Sequence, residues 1–322
     1  MPHRRHALAA LAAMALPLAH GQDASWPSKA ITLVLPFPAG GQTDAVARLL
    51  ARSLETALGQ PVVVDNRPGA NSLIGSNLVA RAVPDGHTLL LNMTALVSNP
   101  ILLPNISYEP LKDFAPVARL YEIAAIWAVP PNGPKTLAEF VAKAKAAREP
   151  LSFATTGHAS SSHFLGEVFS RAAGIQLNHV PYKGEAPILP DLMGGRLDAA
   201  VVSSATAVQY GRDNRLRALA TSGRKRWKAL PELPTFLELG IPGMTTESFA
   251  GIFAPARTPA PVIARLHETV ARVTDTAAFK AQLLANGLEL APALSTEQFL
   301  AVMRRSQDEW TEIKKQSLIK VE

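Results

Sequence analysis

Apolar residues along this chain follow two spacing patterns, one typical of buried strands and one typical of amphipathic helices. The run 31–35 is short, continuous and rich in β-branched residues, which predicts a strand. The segment 44–58 has apolar residues at helical spacing and is followed by Gly59, which predicts a helix and its end. The pattern therefore predicts a strand, a turn and a helix in succession.

This alternation continues through most of the chain. Further strands are predicted at 62–64, 88–91, 151–154, 177–180, 197–202, 216–220 and 249–253, with another beginning near Ile123. Further helices are predicted at 73–82, 137–147, 161–173, 187–193, 205–210, 261–273, 277–285 and 296–315, the last opened by a capping box of Ser295 and Gln298. Strands that alternate with helices predict an α/β protein with mostly parallel sheets.

The order of these elements predicts two lobes. The segment 228–243 is rich in Pro and Gly and lacks a sustained period, as expected of an irregular connection. If the chain crosses near 121–129 and again near 248–254, one lobe contains both chain ends and the other is an insertion. We expect a first lobe of 22–124 plus 251–322 and a second lobe of 125–250, each a mostly parallel sheet flanked by helices.

The N-terminus has the features of a secretory signal peptide. A basic stretch at 3–6 precedes an apolar run at 7–16, then Pro17 and small residues. The run is shorter than the roughly 20 residues that span a bilayer. We expect residues 1–21 to be removed on export to the periplasm, with a cut after Ala24 as the alternative.

Composition narrows the class of protein. The chain has no cysteine, which excludes disulfides, thiolate metal sites, a cysteine nucleophile and the lipid-modified cysteine of a lipoprotein anchor. Its formal charge of +6 falls when Arg4 and Arg5 are removed, leaving 30 basic against 26 acidic residues. The basic clusters at 224–228 and 304–315 lack interleaved stacking aromatics, so no nucleic-acid partner is expected.

The first turn, residues 36–44, combines two adjacent glycines with the start of a predicted helix. Gly40 and Gly41 permit backbone angles at which successive N–H groups converge beside the positive end of the helix. Such a turn would hold a carboxylate or a phosphate. An ordinary connection capped by Thr43 or Asp44 explains the segment equally well, and both interpretations stay open here.

The second turn, residues 155–163, also lies between a predicted strand and a predicted helix. It is dense in hydroxyl groups and contains His158 and His163. From an opposing lobe, such a turn would supply hydroxyl and N–H donors to an oxygen-rich ligand. The alternative is that its serines only cap the helix.

Several short motifs occur in order along nearly the whole predicted mature chain. They are Pro-Phe-x-x-Gly-Gly-x-x-Asp at 36–44, Asp-Asn-Arg-Pro-Gly-Ala at 65–70, Ile-Gly at 74–75, Pro-Asp-Gly at 84–86, Gly157 with Ser162 and His163, His-Val-Pro-Tyr-Lys-Gly at 179–184, Gly-Gly-Arg-Leu-Asp at 194–198, Leu-Arg-Ala-Leu-Ala at 216–220 and Phe-Ala-Pro at 253–255. Together they resemble the periplasmic tricarboxylate-binding receptors, also called Bordetella uptake gene (Bug) receptors.

The resemblance implies a two-lobe periplasmic-binding-protein (Venus flytrap) fold that binds a small organic carboxylate. It also implies delivery of that ligand to the membrane permease subunits of a tripartite tricarboxylate transporter, with ligand sensing for a membrane sensor as the alternative. No cofactor and no enzymatic activity are expected, and the protein is expected to be a monomer. The implied ligand-binding residues are Phe37, Gly40, Gly41, Gln42, Thr43, Asp44, Thr94, Thr156, Gly157, Ser160, Ser161, His163, Asp198, Ser203 and Ser204.

The chain departs from the family pattern at four places that bear on the ligand. Ala39, Ala159 and Glu185 stand where the family often has Pro, Gly and Gly, and Asn71–Ser72 replaces paired small residues. If Glu185 faces the cleft, it would repel a second carboxylate or pair with a ligand ammonium. If it starts the following helix, it only complements the helix dipole, which is the interpretation that we favour from sequence.

Two competing chemistries are disfavoured. A hydrolase would use Ser160, Ser161 or Ser162 with His163 or His158, but the chain has no Gly-x-Ser-x-Gly elbow and no identifiable acid partner. A metal site at His163 and Glu167 lacks further ligands at recognisable spacing, so no metal is expected.

Overall fold

The computed structural model of the chain describes residues 26–246, 248–285, 288, 290–317 and 319. The predicted signal peptide, residues 1–21, lies outside the described residues. Within the described ranges, no helix combines the length and the apolar character needed to cross a membrane.

The described chain alternates strands and helices. Its strands are β1 (Ile31–Leu35), β2 (Val62–Asn66), β3 (Thr88–Met93), β4 (Phe114–Ile123), β5 (Ala125–Val129), β6 (Leu151–Thr155), β7 (Leu177–Pro181), β8 (Ala199–Ser203), β9 (Arg217–Thr221) and β10 (Ser248–Pro255). Its helices are α1 (Gln42–Leu58), α2 (Leu73–Ala80), α3 (Ala95–Leu102), α4 (Pro110–Asp113), α5 (Leu137–Ala146), α6 (Ser161–Ala173), α7 (Ile188–Met193), α8 (Ser204–Arg212), α9 (Ala260–Thr274), α10 (Ala277–Ala285) and α11 (Thr296–Gln316).

These strands form two five-stranded sheets with the same design. The first sheet has the order β2-β1-β3-β10-β4 and the second has the order β7-β6-β8-β5-β9. In each sheet three neighbouring strands are parallel, and the fourth runs antiparallel to both of its neighbours. The predicted fold class, two mostly parallel sheets flanked by helices, is confirmed.

The antiparallel strand of each sheet enters where the chain crosses from the other sheet. Only Ala124 separates β4, at the edge of the first sheet, from β5 in the second. The return runs through 222–246, where the described residues form no helix or strand of their own, to β10 in the first sheet. This long connection contains the irregular segment that composition predicts at 228–243.

The sequence pattern missed the elements around the first crossing. Helices α3 and α4 and most of β4 were not predicted, and the strand predicted at 197–202 begins only at Ala199. Helix α3 contains Pro100 and is mostly buried, so it lacks both the composition and the amphipathic period of a surface helix. Strand β4 carries Pro116 and does not alternate buried and exposed positions.

Each sheet has its own apolar core, and α11 contacts both. Phe299 at the start of α11 packs against Phe249 and Phe253 of β10, with ring centroids 5.2 and 5.5 Å away. Trp310 and Ile313, further along the helix, are buried in the cluster built around the second sheet. The confirmed capping box of Ser295 and Gln298 fixes the start of this helix. Although 251–322 was expected to belong to the first lobe, its last helix therefore stabilises both cores.

Candidate functional site

The first turn leads from the carboxyl end of β1 into α1, and it leaves the amino end of that helix without a side-chain cap. Gly40 has a left-handed φ of 82°, and Gly41, the residue before the helix, is extended and has no side chain. Residues 38–41 are exposed. A 17-residue helix therefore presents its positive end at an accessible turn.

Asp44 fixes the shape of this turn from beneath. Its Oδ2 accepts hydrogen bonds from the Gly40 N–H at 3.0 Å and from Arg48 Nε at 2.9 Å, and its Oδ1 accepts one from Asn66 Nδ2 at 3.0 Å. Burial opposes ionisation of this carboxyl, but the hydrogen bonds from Arg48, Gly40 and Asn66 outweigh it and lower its pKa. Asp44 is 4% exposed, so its carboxylate positions the turn rather than facing outward.

The neighbouring predicted residues have mixed surroundings. Phe37 is half-buried against the first core, and its carbonyl accepts a hydrogen bond from Asn66 Nδ2 at 3.1 Å. Thr43 is buried; burial raises the pKa of the nearby Tyr121 hydroxyl, and the Thr43 hydroxyl acts against that rise. Gln42 is the first residue of α1 and is half-buried.

The start of α2 packs against the first turn. A Cβ at Gly75 would lie 2.9 Å from Pro36 Cβ, so glycine permits this close approach. Just before α2, Ala70, Asn71 and Ser72 all have left-handed φ angles, which non-glycine residues rarely adopt. This strained stretch is held by the buried Asn99 of α3, whose Nδ2 donates to the Asn71 carbonyl at 2.5 Å.

Thr94 and Ser204 form hydrogen bonds with the backbone at the two places where the chain crosses between the sheets. The Thr94 hydroxyl accepts a hydrogen bond from the Phe249 N–H at 2.8 Å, which joins β3 to β10. The Ser204 hydroxyl accepts one from the Ala124 N–H at 3.2 Å, and the Ser204 N–H donates to the Ala124 carbonyl at 2.9 Å. Both side chains are buried, so the structure shows positioning contacts for these two predicted residues.

The hydroxyl groups of the second turn mostly bond to one another. Ser162 Oγ lies 3.0 Å from Thr156 Oγ1 and 2.9 Å from Ser160 Oγ, and Ser160 Oγ donates to the Gly157 carbonyl at 2.8 Å. Ser160 also caps α6 by accepting from the His163 N–H. Ser160 therefore acts as a helix cap, which is the alternative interpretation that the sequence left open for the serines of this turn.

Ser161 has a different partner, which links the two halves of the molecule. Its Oγ lies 3.4 Å from Ser98 Oγ on α3. Helix α3 follows the carboxyl end of β3 in the first sheet, and α6 follows the carboxyl end of β6 in the second. The carboxyl ends of the two sheets therefore approach each other at this contact. Ser98 was missed because the sequence pattern did not predict α3.

His163 lies under the second turn, stacked on His179. Their ring centroids are 3.6 Å apart with planes 10° apart, and His163 Nδ1 accepts the Ala159 N–H at 3.1 Å. Burial, together with the neighbouring His179 and His158, lowers the pKa of His163 to about 3. Burial and His158 lower the pKa of His179 to about 4. Both rings are neutral at pH 7.

This geometry does not support a serine hydrolase. Among the described residues, none of the serine hydroxyls of the turn has a hydrogen bond to a histidine ring nitrogen, and His163 Nδ1 is occupied by a backbone N–H. A nucleophilic serine needs such a base within hydrogen-bond reach.

Nor does the histidine cluster form a ready metal site. Nitrogen atoms of His158, His163 and His179 all lie within 4.8 Å of one another. However, an imidazole lone pair lies in the plane of its ring, and two nearly parallel planes cannot both meet an ion about 2.1 Å from each nitrogen. His179 Nε2 also contacts Thr155 Oγ1 at 2.6 Å.

The end of β8 holds a second carboxylate. Ser203 caps α8, and Glu185 Oε1 accepts hydrogen bonds from the Ser203 N–H and Oγ, both at 3.0 Å. Glu185 lies three residues before α7, the helix whose dipole it was expected to complement, but its carboxylate meets α8 instead. Burial raises the pKa of Glu185, while donors from Thr206 and Ser203 act against that rise.

Asp198 is not brought to either turn. It precedes β8, whereas Ser203 ends that strand, so the two lie at opposite ends of it. The Asp198 carboxylate accepts hydrogen bonds from Lys143 Nζ at 2.7 Å and from Ser152 N and Oγ at 3.1 and 3.0 Å. The structure therefore gives Asp198 a role in the second sheet, away from the other candidates.

Two α/β bodies joined by crossing strands, with the carboxyl ends of their sheets in contact, are the architecture of a two-lobe solute-binding protein. A family model described as "Tripartite tricarboxylate transporter family receptor" matches residues 46–320. The chain belongs to this family of receptors.

Curated relatives agree with that assignment. The chain is 39% identical over 250 residues to a UPF0065 protein in the tcbD-tcbE intergenic region of Pseudomonas sp. strain P51, covering 76% of this chain and 74% of that one. It is 35% identical over 249 residues to Protein BugT of Bordetella pertussis, covering 76% of each chain.

Solved structures share the whole fold. The periplasmic binding protein BugD is 31% identical with a TM-score of 0.81, covering 92% of this chain and all of that one (100%). MatC from Rhodopseudomonas palustris, solved with bound malate, is 30% identical with a TM-score of 0.79, covering 89% of this chain and 99% of that one. Another R. palustris protein, solved with adipate, is 30% identical with a TM-score of 0.81, covering 90% and 98%.

Proposed function

We propose that this receptor acts in the periplasm, where it binds a small organic anion between two lobes by receiving a carboxylate at the first turn. The observation that carries the proposal is the uncapped amino end of α1 behind Gly40 and Gly41, held in shape by the buried Asp44. A carboxylate placed there would meet backbone N–H groups and the positive end of a long helix. The malate and adipate in two relatives are carboxylates, which supports this ligand class.

The proposed lobes follow the two sheets. The first contains β1 to β4 and β10, the second contains β5 to β9, and Ala124 and the connection before Ser248 form the crossings. The ligand would lie between the first turn, the second turn and the β8–α8 turn. Its binding stabilises the closed arrangement of the lobes over the open one. The protein performs no chemistry on the ligand and works as a monomer.

Delivery to a membrane permease is the proposed output. Family membership supports it, because receptors of this family serve tripartite tricarboxylate transporters. Sensing through a membrane sensor is the alternative. Uptake of the ligand by cells that lack the receptor gene distinguishes the two, because a transport receptor is required for uptake and a sensor is not.

A thermal-shift screen of the mature protein against organic carboxylates tests the ligand class. A true ligand raises the unfolding midpoint with increasing concentration, because it binds only the folded state. The matched methyl ester of each hit serves as the control and should give no shift. The proposal fails if esters or uncharged sugars stabilise the protein as well as the acids do.

A further inference from the structure

The carboxyl edge of the second sheet already contains a carboxyl group of its own, that of Glu185. The segment after β7 folds across the end of β6, where the Tyr182 N–H donates to the Thr155 carbonyl at 3.0 Å and the Gly184 N–H donates to the Thr156 carbonyl at 3.2 Å. Gly184 turns the chain with a φ of 99°. This path carries the Glu185 side chain to the end of β8, beside the second turn.

There the Glu185 carboxylate occupies the kind of position that a ligand carboxylate would need. It accepts the Ser203 N–H and Oγ at 3.0 Å each, at the amino end of the nine-residue helix α8. The amino end of α6, which also begins at this edge, is capped by Ser160. The third helix that begins here, α7, has only six residues. The amino ends of the two longer helices at this edge are therefore already satisfied from within the chain.

Resting on the proposed function, we infer that Glu185 selects ligands with a single carboxylate. One carboxylate binds at the first turn, and the end of the ligand that faces the second lobe must be uncharged or cationic. A second carboxylate there would approach Glu185 with like charge in a partly desolvated site, where such repulsion is poorly screened.

Pairs of isosteric acids test this inference. Each pair consists of a dicarboxylic acid and its monoamide, for straight chains of four to eight carbons and for terephthalate, measured by calorimetry on the mature protein. The wild type should bind the preferred monoamide at least about tenfold more tightly than its diacid, as expected for like charges a few ångströms apart. Glu185→Gln retains an acceptor for Ser203 and should bring the two affinities within about threefold. Glu185→Ala should do the same if the Gln variant folds poorly.

The control is Glu149→Gln, which removes an equal charge from an exposed position of the second lobe and should leave the ratio unchanged. The inference is overturned if the wild type binds none of the monoamides, if it prefers the diacids, or if Glu185→Gln leaves the ratio as it was. A preference for diacids would point to the exposed Lys183 in the same segment as the partner of a second carboxylate. Such a result would still leave the first-turn carboxylate site intact, since that site is tested separately by substitution at Gly41.

Discussion

At the residue scale, the two predicted turns owe their shapes to side chains that do not face outward. Asp44 joins the Gly40 backbone to Arg48 and Asn66, and the stacked His163 and His179 support the second turn. Sequence identified the turns from glycine and hydroxyl content. It could not show which side chains turn inward, because that depends on partners 22 or 16 residues away in the chain.

The histidine pair makes stability depend on pH. Unfolded histidines have a pKa near 6.5, whereas in the folded protein the pKa of His163 is about 3 and that of His179 about 4. Between the folded and the unfolded pKa values, the unfolded state binds more protons than the folded state. The contribution of the two neutral histidines to stability is therefore fully present above about pH 6.5 and is lost as the pH falls toward 4.

We expect His179→Gln to weaken this dependence. Urea unfolding between pH 6 and pH 5 should show a slope of unfolding free energy against pH that is smaller than the wild-type slope by about 1 kcal/mol per pH unit, since one proton fewer is taken up. An unchanged slope would mean that His179 is protonated in the folded protein.

At the element scale, the repeated strand–helix units were predicted well, and the helices and strand just before the first crossing were not. The helix at 161–173 and the helix at 277–285 have the predicted bounds. For the first of these the sequence shows a clear amphipathic period and clear ends, at Ser160 and Gly174. Helix α3 and strand β4 were missed because both are buried on most sides, so neither shows an amphipathic period. The contact between Ser98 and Ser161 could not be predicted either, because Ser98 lies on α3.

The packing of α11 on β10 gives a test at this scale. A Cβ at Gly251 would lie 2.5 Å from Phe299 Cζ and 3.1 Å from the Ala118 carbonyl oxygen. Gly251→Ala should therefore destabilise the protein by about 1–3 kcal/mol through overpacking. Phe299→Leu, which shortens the opposing ring, should recover part of that loss in the double variant. Additive effects in urea unfolding would argue against direct overpacking.

At the scale of the whole molecule, two sheets of one design are joined by two chain crossings, and their carboxyl ends approach each other at the contact between Ser98 and Ser161. Ligands of open α/β sheets bind at such ends, which supports our proposal that a ligand is enclosed between the two turns. The fold and family could be predicted from sequence because they rest on many separate segments. The position of Asp198 could not be predicted. The sequence pattern started the strand at residue 197, two residues too early, and so placed Asp198 inside the strand, whereas it precedes β8.

The central claim is that the amino end of α1 receives a carboxylate, and calorimetry on Gly41→Val tests it most directly. Gly41 is extended with a φ of −81°, and its Cβ would meet nothing closer than the Pro38 carbonyl oxygen at 3.8 Å, so valine should fit the fold while covering the turn. Gly211→Val, at an open position near the end of α8, is the matched control. We predict that a carboxylate bound by the wild type loses at least about 100-fold in affinity in Gly41→Val, equivalent to about 3 kcal/mol, and keeps its affinity in the control. Wild-type affinity in a folded Gly41→Val protein would contradict the claim.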